Sequence, residues 1–221
     1  VTFGTALAAG VAGAAAGDTC SESTGPNLCE ANDNVPDFTA RVQYSAPGGH
    51  KFEAAGVVRN LRIDGDAATG GVTGSDSEVA WGLMGAAAIK LADIATLSAV
   101  ATYGDGVGRY IINGGFASAV AAGTAANPDL ETIEAWGVAA ALGLGVTETV
   151  TMNFVLGYFD QTRSDIIAGQ IDDLTTVHAN MWWQPVDRFR MGVEGMWGNN
   201  DIAGAGTEDA LRFQFGAEFY F

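Results

Sequence analysis

The sequence is poor in positive charge, in charge overall and in long apolar runs. Only 10 of its 221 residues are Lys or Arg against 26 Asp and Glu, which gives a net charge of −16, and charged residues make up 16% of the chain. A protein that binds nucleic acid needs a basic face, so we expect no nucleic-acid partner. Residues 79–101 come nearest to a spanning helix, but Lys90 and Asp93 interrupt them and their apolar residues alternate. The sequence therefore does not predict a helical membrane protein.

Cysteine and histidine are scarce too, which limits metal and catalytic chemistry. Cys20 and Cys29 are separated by eight residues of a polar stretch and predict a disulfide that closes a loop. Half of a zinc site is the alternative, but His50 and His178 are the only histidines and are assigned to different parts of the fold. We expect neither a metal nor another cofactor. We also expect no enzyme, because His178 has no Ser elbow or paired acid near it in the sequence.

Strict alternation of apolar and polar residues is what the chain has in abundance. In residues 211–221, Leu, Phe, Phe, Ala, Phe and Phe occupy one parity, and Arg, Gln, Gly, Glu and Tyr occupy the other. In a membrane β-barrel the apolar face meets lipid and the polar face meets a water-filled lumen, while closure pairs every strand edge. A soluble β-sandwich could show the same alternation and stays open as the alternative.

Short and long turn signals alternate along the chain, which a sandwich would not require. The short signals lie at 45–50, 91–95, 145–148 and 184–187, and the long ones at 10–35, 64–77, 105–132, 160–173 and 198–209. The segments between them have about 9 to 14 residues, the length of a tilted strand that crosses a membrane. We predict an all-β fold, a transmembrane antiparallel β-barrel of about ten strands over residues 1–221. Its short turns would be periplasmic, its long loops extracellular, and its location the bacterial outer membrane.

Parity within each segment assigns the two faces. Adjacent Val57 and Val58 break the alternation in residues 51–64, where we expect a bulge or a stretch beyond the membrane. Aromatic residues at the strand ends predict girdles at the headgroup level. The outward set comprises Phe38, Ala40, Val42, Tyr44, Trp81, Leu83, Ala87, Ile89, Val150, Met152, Phe154, Leu156, Tyr158, Val177, Ala179, Met181, Trp183, Phe189, Met191, Val193 and Trp197.

The basic residues are the candidate lining of a channel. A cation that faces lipid at mid-depth costs about 2–4 kcal/mol, so lumen placement is favoured. A ladder of cations would lower the barrier for anions, and neutralising Arg41, Arg59 and Arg190 would then shift selectivity toward cations. The alternative is a wall network in which carboxylates such as Asp37, Glu53, Glu194 or Glu218 neutralise each Arg. The candidates are Arg41, Arg59, Lys90, Arg190 and Arg212 on the inward parity, with Arg62 and Arg109 near the loop ends.

Most of the carboxylates lie in the predicted loops. They could bind a divalent cation, contact lipopolysaccharide through one, or form a solvated acidic rim. The residues are Asp160, Asp165, Asp172, Asp173, Asp201, Glu208 and Asp209.

Several stretches resemble the DcaP-like porins of Gram-negative bacteria: residues 36–64, YGDGVGRYI at 103–111, DRFRMGVEGMWG at 187–198 and the closing LRFQFGAEFYF. The resemblance implies a trimeric, sixteen-stranded outer-membrane channel for small solutes, often anions such as dicarboxylates. It also implies that strands precede Val1 and that this chain is the later part of the barrel; a smaller complete barrel is the alternative. Arg41, Arg59, Arg62, Arg109 and Arg190 match basic positions of the family pattern.

The residue pattern and the resemblance together predict a porin that passes small hydrophilic solutes passively, with a preference for anions, in contact with outer-membrane lipid and lipopolysaccharide. The resemblance implies that this porin is a homotrimer. One rival is a structural or adhesion-type barrel with a plugged lumen, and a second is a rim-active hydrolase. Small inward residues favour the open pore, since a narrow plugged barrel would need bulk there. They are Ala80, Gly82, Ala86, Ala88, Ala135, Gly137, Ala139 and Ala141.

Overall fold

A computed structural model describes residues 35–64, 74–111, 118–124, 126–162 and 171–221. The predicted disulfide between Cys20 and Cys29 lies outside the described residues, as does Asp165. The strands are β1 (Phe38–Ser45), β2 (Lys51–Asp64), β3 (Ser75–Ala92), β4 (Ala95–Asp105), β5 (Ala119–Thr124), β6 (Asn127–Thr132), β7 (Glu134–Gly145), β8 (Val150–Gln161), β9 (Ile171–Val186), β10 (Phe189–Ile202) and β11 (Gly206–Phe219). A one-turn helix α1 (Gly108–Ile111) and a 3-10 turn (Pro47–Gly49) complete the elements of these ranges.

Nine of the strands form one antiparallel sheet in the order β1-β2-β3-β4-β7-β8-β9-β10-β11. Strands β5 and β6 pair separately as a hairpin. The sheet is not closed, and β1 and β11 are its two edges within the described residues. None of the described helices is long and apolar enough to cross a membrane. The predicted all-β, antiparallel fold is confirmed.

The strand register places the apolar residues of neighbouring strands on the same face throughout the sheet. Phe38 opposes Val58, Val58 opposes Trp81, and the same apolar parity continues strand by strand to β11. Large apolar side chains on this face are exposed, such as Val42 at 72% and Phe213 at 77%. Exposed Phe and Val are costly in water and favourable in lipid. One face of the sheet is therefore apolar, as the parity predicts, and we call the other the polar face.

Aromatic pairs mark both ends of the apolar face. Trp81 lies against Tyr103 and Trp136 against Tyr158, with ring centroids 5.7 and 5.1 Å apart. At the opposite end Tyr44 stacks on Phe52 at 6.5 Å. From Val150 to Tyr158 along β8 is about 26 Å of strand, or about 20 Å of membrane depth at the usual tilt. This spacing suits the apolar band of an outer-membrane barrel.

Four tight turns lie where the sequence predicts short ones, between β1 and β2, β3 and β4, β7 and β8, and β9 and β10. We call this the short-turn end, and the other the loop end. The predicted long loop at 198–209 is wrong, because β10 and β11 stay paired as far as Ile202 and Gly206. Positive φ angles at Gly204 (77°) and Gly206 (91°) permit a tight turn there.

The expected bulge in residues 51–64 is also absent, since β2 keeps continuous register with both β1 and β3. Val57 and Val58 simply face opposite sides. Apolar side chains on the polar side of β2 have another cause: Leu61 lies beside Gly106, where the chain between β4 and β7 folds back over the sheet.

Candidate functional site

The chain between β4 and β7 folds onto the polar face instead of forming a loop beyond the strands. We call residues 106–133, as far as the structure describes them, the inward segment. It contains α1 and the β5–β6 hairpin. Val107, Leu130 and Ile133 in it are 0%, 3% and 1% exposed. The inward segment is thus packed on the wall near its loop end.

Small residues on the polar face make room for this packing. A Cβ at Gly82 would lie 3.1 Å from Val107 Cγ1, and one at Gly137 would lie 2.9 Å from Ile111 Cγ2. Ala80 and Ala135 are 0% and 1% exposed. These four positions are covered by protein. Their small size is therefore not evidence of an open pore, although the sequence analysis took it as such. Ala86, Ala88, Ala139 and Ala141 lie nearer the short-turn end and are only half-buried.

A buried ion cluster holds the inward segment to the first strands. Arg59 on β2 is 5% exposed, and its Nε lies 3.4 Å from Asp37 Oδ1. Its Nη1 donates to Ser118 Oγ at 3.3 Å, and its guanidinium lies 5.8 Å from the ring centre of Tyr110. Tyr110 Oη in turn donates to Asp37. Arg59 therefore links β2, α1 and the start of the hairpin. Tyr110 and Ser118 were not predicted, since only folding brings them to Arg59.

A second contact ties β6 to β3, where the Leu130 amide donates to Asp76 Oδ2 at 2.7 Å. The backbone adds two bonds within the inward segment: Gly106 N donates to Ile133 O at 2.9 Å, and Ile133 N donates to Ser118 O at 3.0 Å. Buried backbone groups are thereby satisfied, as a stable inward fold requires.

Arg190 on β10 is also fully engaged. Its Nη2 and Nε lie 2.6 and 2.7 Å from Glu218 Oε2. Its guanidinium lies 4.7 Å from the ring centre of Trp182 and 5.8 Å from that of Tyr220. Trp182 itself lies over Gly192, where a Cβ would come within 2.7 Å of the indole. This cluster joins β9, β10 and β11 on the polar face. A Trp on inward parity was the sequence signal for it.

Two further pairs lie on the same face. Arg41 Nη1 is 3.8 Å from Glu53 Oε1, with the Arg41 side chain 66% exposed. His178 Nδ1 is 3.5 Å from Glu194 Oε1, and Gln214 donates to the same carboxylate. His178 lies mid-strand on β9, opposite Val155 and Met196, and not at a rim.

The predicted lining residues thus fall into distinct groups. Arg41, Arg59 and Arg190 pair with Glu53, Asp37 and Glu218, three of the four carboxylates that the wall-network alternative names. Within the described ranges Lys90 and Arg212 have no carboxylate within 4 Å. Register places Arg62 on the apolar side of β2 at the loop end, with Val58, and Arg109 lies on α1. The structure does not bring the seven candidates together.

The predicted acidic loops are in part strand ends. Asp160, Asp173 and Asp201 are direct cross-strand neighbours on β8, β9 and β10. They lie beyond Tyr158 and Trp197 toward the loop end, outside the apolar band. Burial, and then the charges of Asp201, Asp172 and Asp160, raise the pKa of Asp173. Among the described residues no three His, Cys, Asp or Glu side chains converge to hold a metal ion.

We predict that Asp173→Asn raises the thermal midpoint at neutral pH. Because the folded-state pKa of Asp173 lies above its ordinary value of 3.8, the fold holds this proton more tightly than the unfolded chain does. The group favours folding at pH below that value and loses this effect as pH rises through the folded pKa. Heat denaturation in micelles from pH 3 to 8 measures the change in thermal midpoint. Asp209→Asn is the comparison, since the wild-type Asp209 carboxylate accepts a hydrogen bond from Asn199 Nδ2 at 2.9 Å. A gain that grows on acidification would contradict the prediction.

Comparison with known proteins finds one solved structure of similar fold, the outer membrane channel DcaP of Acinetobacter baumannii. The TM-score is 0.77, and the sequences are 19% identical. The match covers 93% of this chain and 56% of that one, so the chain spans little more than half the length of the channel. The likeness establishes the fold of a porin-type β-barrel wall. No protein-family profile matches the sequence, and no curated protein matches it.

Proposed function

We propose that this chain forms the wall and the constriction of an outer-membrane porin, which passes small hydrophilic solutes by passive diffusion. The observation that carries the proposal is the two-faced wall with the inward segment fixed on its polar side. An apolar band bounded by aromatic pairs suits lipid, and a polar face suits water. A segment anchored against that face narrows the aqueous path and limits the size of the solute.

The fold shared with a protein described as an outer membrane channel supports the same proposal. It is also the ground on which we place the chain in the bacterial outer membrane. The domain prediction, one barrel over residues 1–221 with further strands before it, stays a prediction.

Anion preference, with dicarboxylates as an example of the solute, is the finer part of the proposal. The polar face carries both signs of charge, and paired arginines contribute little net field at a distance. Preference for anions therefore depends on cations that lack a carboxylate partner, such as Lys90 and Arg212. Of the seven predicted lining residues, we keep these two as candidates for selectivity.

We also propose homotrimer contacts on the apolar face of β2, β3, β4 and β7. Small residues there, including Gly85, Ala99, Ala101 and Ala140, line two shallow depressions of about 540 and 560 Å³. β11, in contrast, presents Phe213, Phe215 and Phe219, which suit lipid. Close approach of two walls favours small residues.

For lipopolysaccharide we propose contact with the carboxylate row of β8–β10 through shared divalent cations.

A plugged structural or adhesion barrel is the second candidate, because the same inward segment would close a narrow lumen. Single-channel recording in planar bilayers, with protein extracted from membranes, separates the two. We expect stepwise openings, in groups of three for a trimer. The absence of current steps from folded, inserted protein would overturn the porin proposal and favour the plugged barrel.

A further inference from the structure

Two lysines share one corner of the polar face at the short-turn end. Lys51 is the first residue of β2 and opposes Ala88 of β3, two residues before Lys90. Side chains two apart on a strand face the same side, so Lys51 and Lys90 both project from the polar face. Lys51 was not among the predicted lining residues.

The side chain of Lys90 extends toward the turn that precedes Lys51. A Cβ built at Gly49 would lie 3.1 Å from Lys90 Cδ and 3.7 Å from its Nζ. The ammonium group therefore lies against the Pro47–Gly49 turn, two residues before Lys51. Gly49 itself has φ +84°, so a side chain at this position would be strained as well as crowded.

Neither lysine has a carboxylate within 4 Å in the part of the chain that the structure describes. The nearest carboxylate along the strand, Glu53, pairs with Arg41. Two ammonium groups on one corner repel each other, and an anion held between them would offset that repulsion. This distinguishes the lysine corner from Arg41, Arg59 and Arg190, whose charges are offset by carboxylates of the protein.

We propose that Lys51 and Lys90 form an anion-binding site at the short-turn mouth of the channel, and that this site sets its ion preference. The proposal rests on the porin function proposed above. Ammonium groups act as point charges without a fixed fork, so the site suits small anions such as phosphate or a carboxylate without strict geometry. Arg212 also lacks a carboxylate partner, but it is a single cation on the edge strand β11 and offers no second charge.

The test compares reversal potentials in a KCl gradient for the wild type and for Lys51→Gln/Lys90→Gln. We expect the chloride-to-potassium permeability ratio to fall by at least about twofold in the double variant, since exposed charges at a mouth act within a Debye length. Lys51→Arg/Lys90→Arg keeps both charges and should keep the ratio. Arg41→Gln/Glu53→Gln removes a paired cation and its carboxylate and should leave the ratio unchanged.

Inorganic phosphate added on the side of the short turns supplies a second readout. We expect it to reduce the chloride current of the wild type, and the concentration for half reduction to rise at least about fivefold in Lys51→Gln/Lys90→Gln. Channels that open normally but show unchanged permeability ratio and phosphate sensitivity in this variant would overturn the lysine site alone. A wild type without channels would instead overturn the porin function.

Discussion

Arg59→Ala is expected to destabilise the folded wall by about 3 kcal/mol and to increase single-channel conductance. The Arg59 side chain is 3% exposed, and its removal breaks the ion pair with the carboxylate of Asp37, which is 14% exposed. Removing one partner of a buried ion pair is costly because the other charge stays desolvated. The same change removes the contacts of Arg59 with Ser118 and Tyr110.

Conductance should rise because Arg59 anchors the inward segment at two separate points, on α1 and before the β5–β6 hairpin. Without them the segment is held by Val107, Leu130 and Ile133, by the Asp76 contact and by the hydrogen bond from Tyr110 to Asp37. We expect the segment to sample positions farther from β2, which widens the aqueous path beside it. Thermal midpoints in micelles and current steps in planar bilayers measure the two effects on one preparation.

Arg41→Ala is the matched control. It removes an Arg–carboxylate pair that begins on the neighbouring strand β1, and the Arg41 side chain of this pair is 66% exposed. Exposed pairs contribute about 0–1 kcal/mol, so its midpoint should stay near that of the wild type. A current step from Arg59→Ala equal to that of the wild type, in protein with a lowered midpoint, would show that the cluster stabilises the fold without setting the width of the channel.

The faces of the strands could be predicted from the sequence because a β-strand has period two and one face must be apolar. Val150 to Tyr158 is sufficient to assign β8, whatever its neighbours are. The inward segment could not be predicted in this way. Residues 105–132 contain Gly, Ala, Asn and Pro as an exposed loop would, and what directs them inward is the fit of Val107 over Gly82 and Gly104, which belong to two other strands.

The pairing of the arginines also required the structure. Arg190 faces Glu218 because β10 and β11 turn at residues 203–205, and the turn fixes which residues are opposite. The sequence suggests a loop of twelve residues there, which leaves the register free by several positions. A shift by one residue would move Glu218 away from Arg190, so the choice between a selective ladder and a neutral network depended on register.

Gly104→Ala is expected to destabilise the wall by about 1–3 kcal/mol, the usual cost of forcing a group into a packed site. A Cβ at Gly104 would lie 2.5 Å from Val107 Cγ2 and 2.7 Å from the Cα of Gly82. Both distances are well below van der Waals contact, and one of them involves backbone that cannot rotate away. Either the inward segment lifts from the sheet, or β3 and β4 separate locally.

Gly198→Ala provides the control on β10, because the nearest atom that a Cβ there would meet, Thr175 O, lies 3.8 Å away, an ordinary contact. It makes the same chemical change on the polar face, so we expect a midpoint within the range of ordinary surface substitutions, about 0.5 kcal/mol either way. Any general effect of replacing a strand glycine by Ala appears equally in both variants, and their difference reports the crowding at Gly104.

A double-mutant cycle with Val107→Ala then separates the contact of the new methyl group with Val107 from its contacts with the backbone of Trp81 and Gly82. Val107→Ala removes the Cγ atoms that Gly104→Ala would meet, so the double variant should recover part of the lost stability, with a coupling of about 0.5–3 kcal/mol. Recovery should be incomplete, because the contact with the Gly82 backbone remains. Strict additivity of the two substitutions would mean that Val107 does not lie over Gly104, and the placement of the inward segment on the polar face would then be wrong.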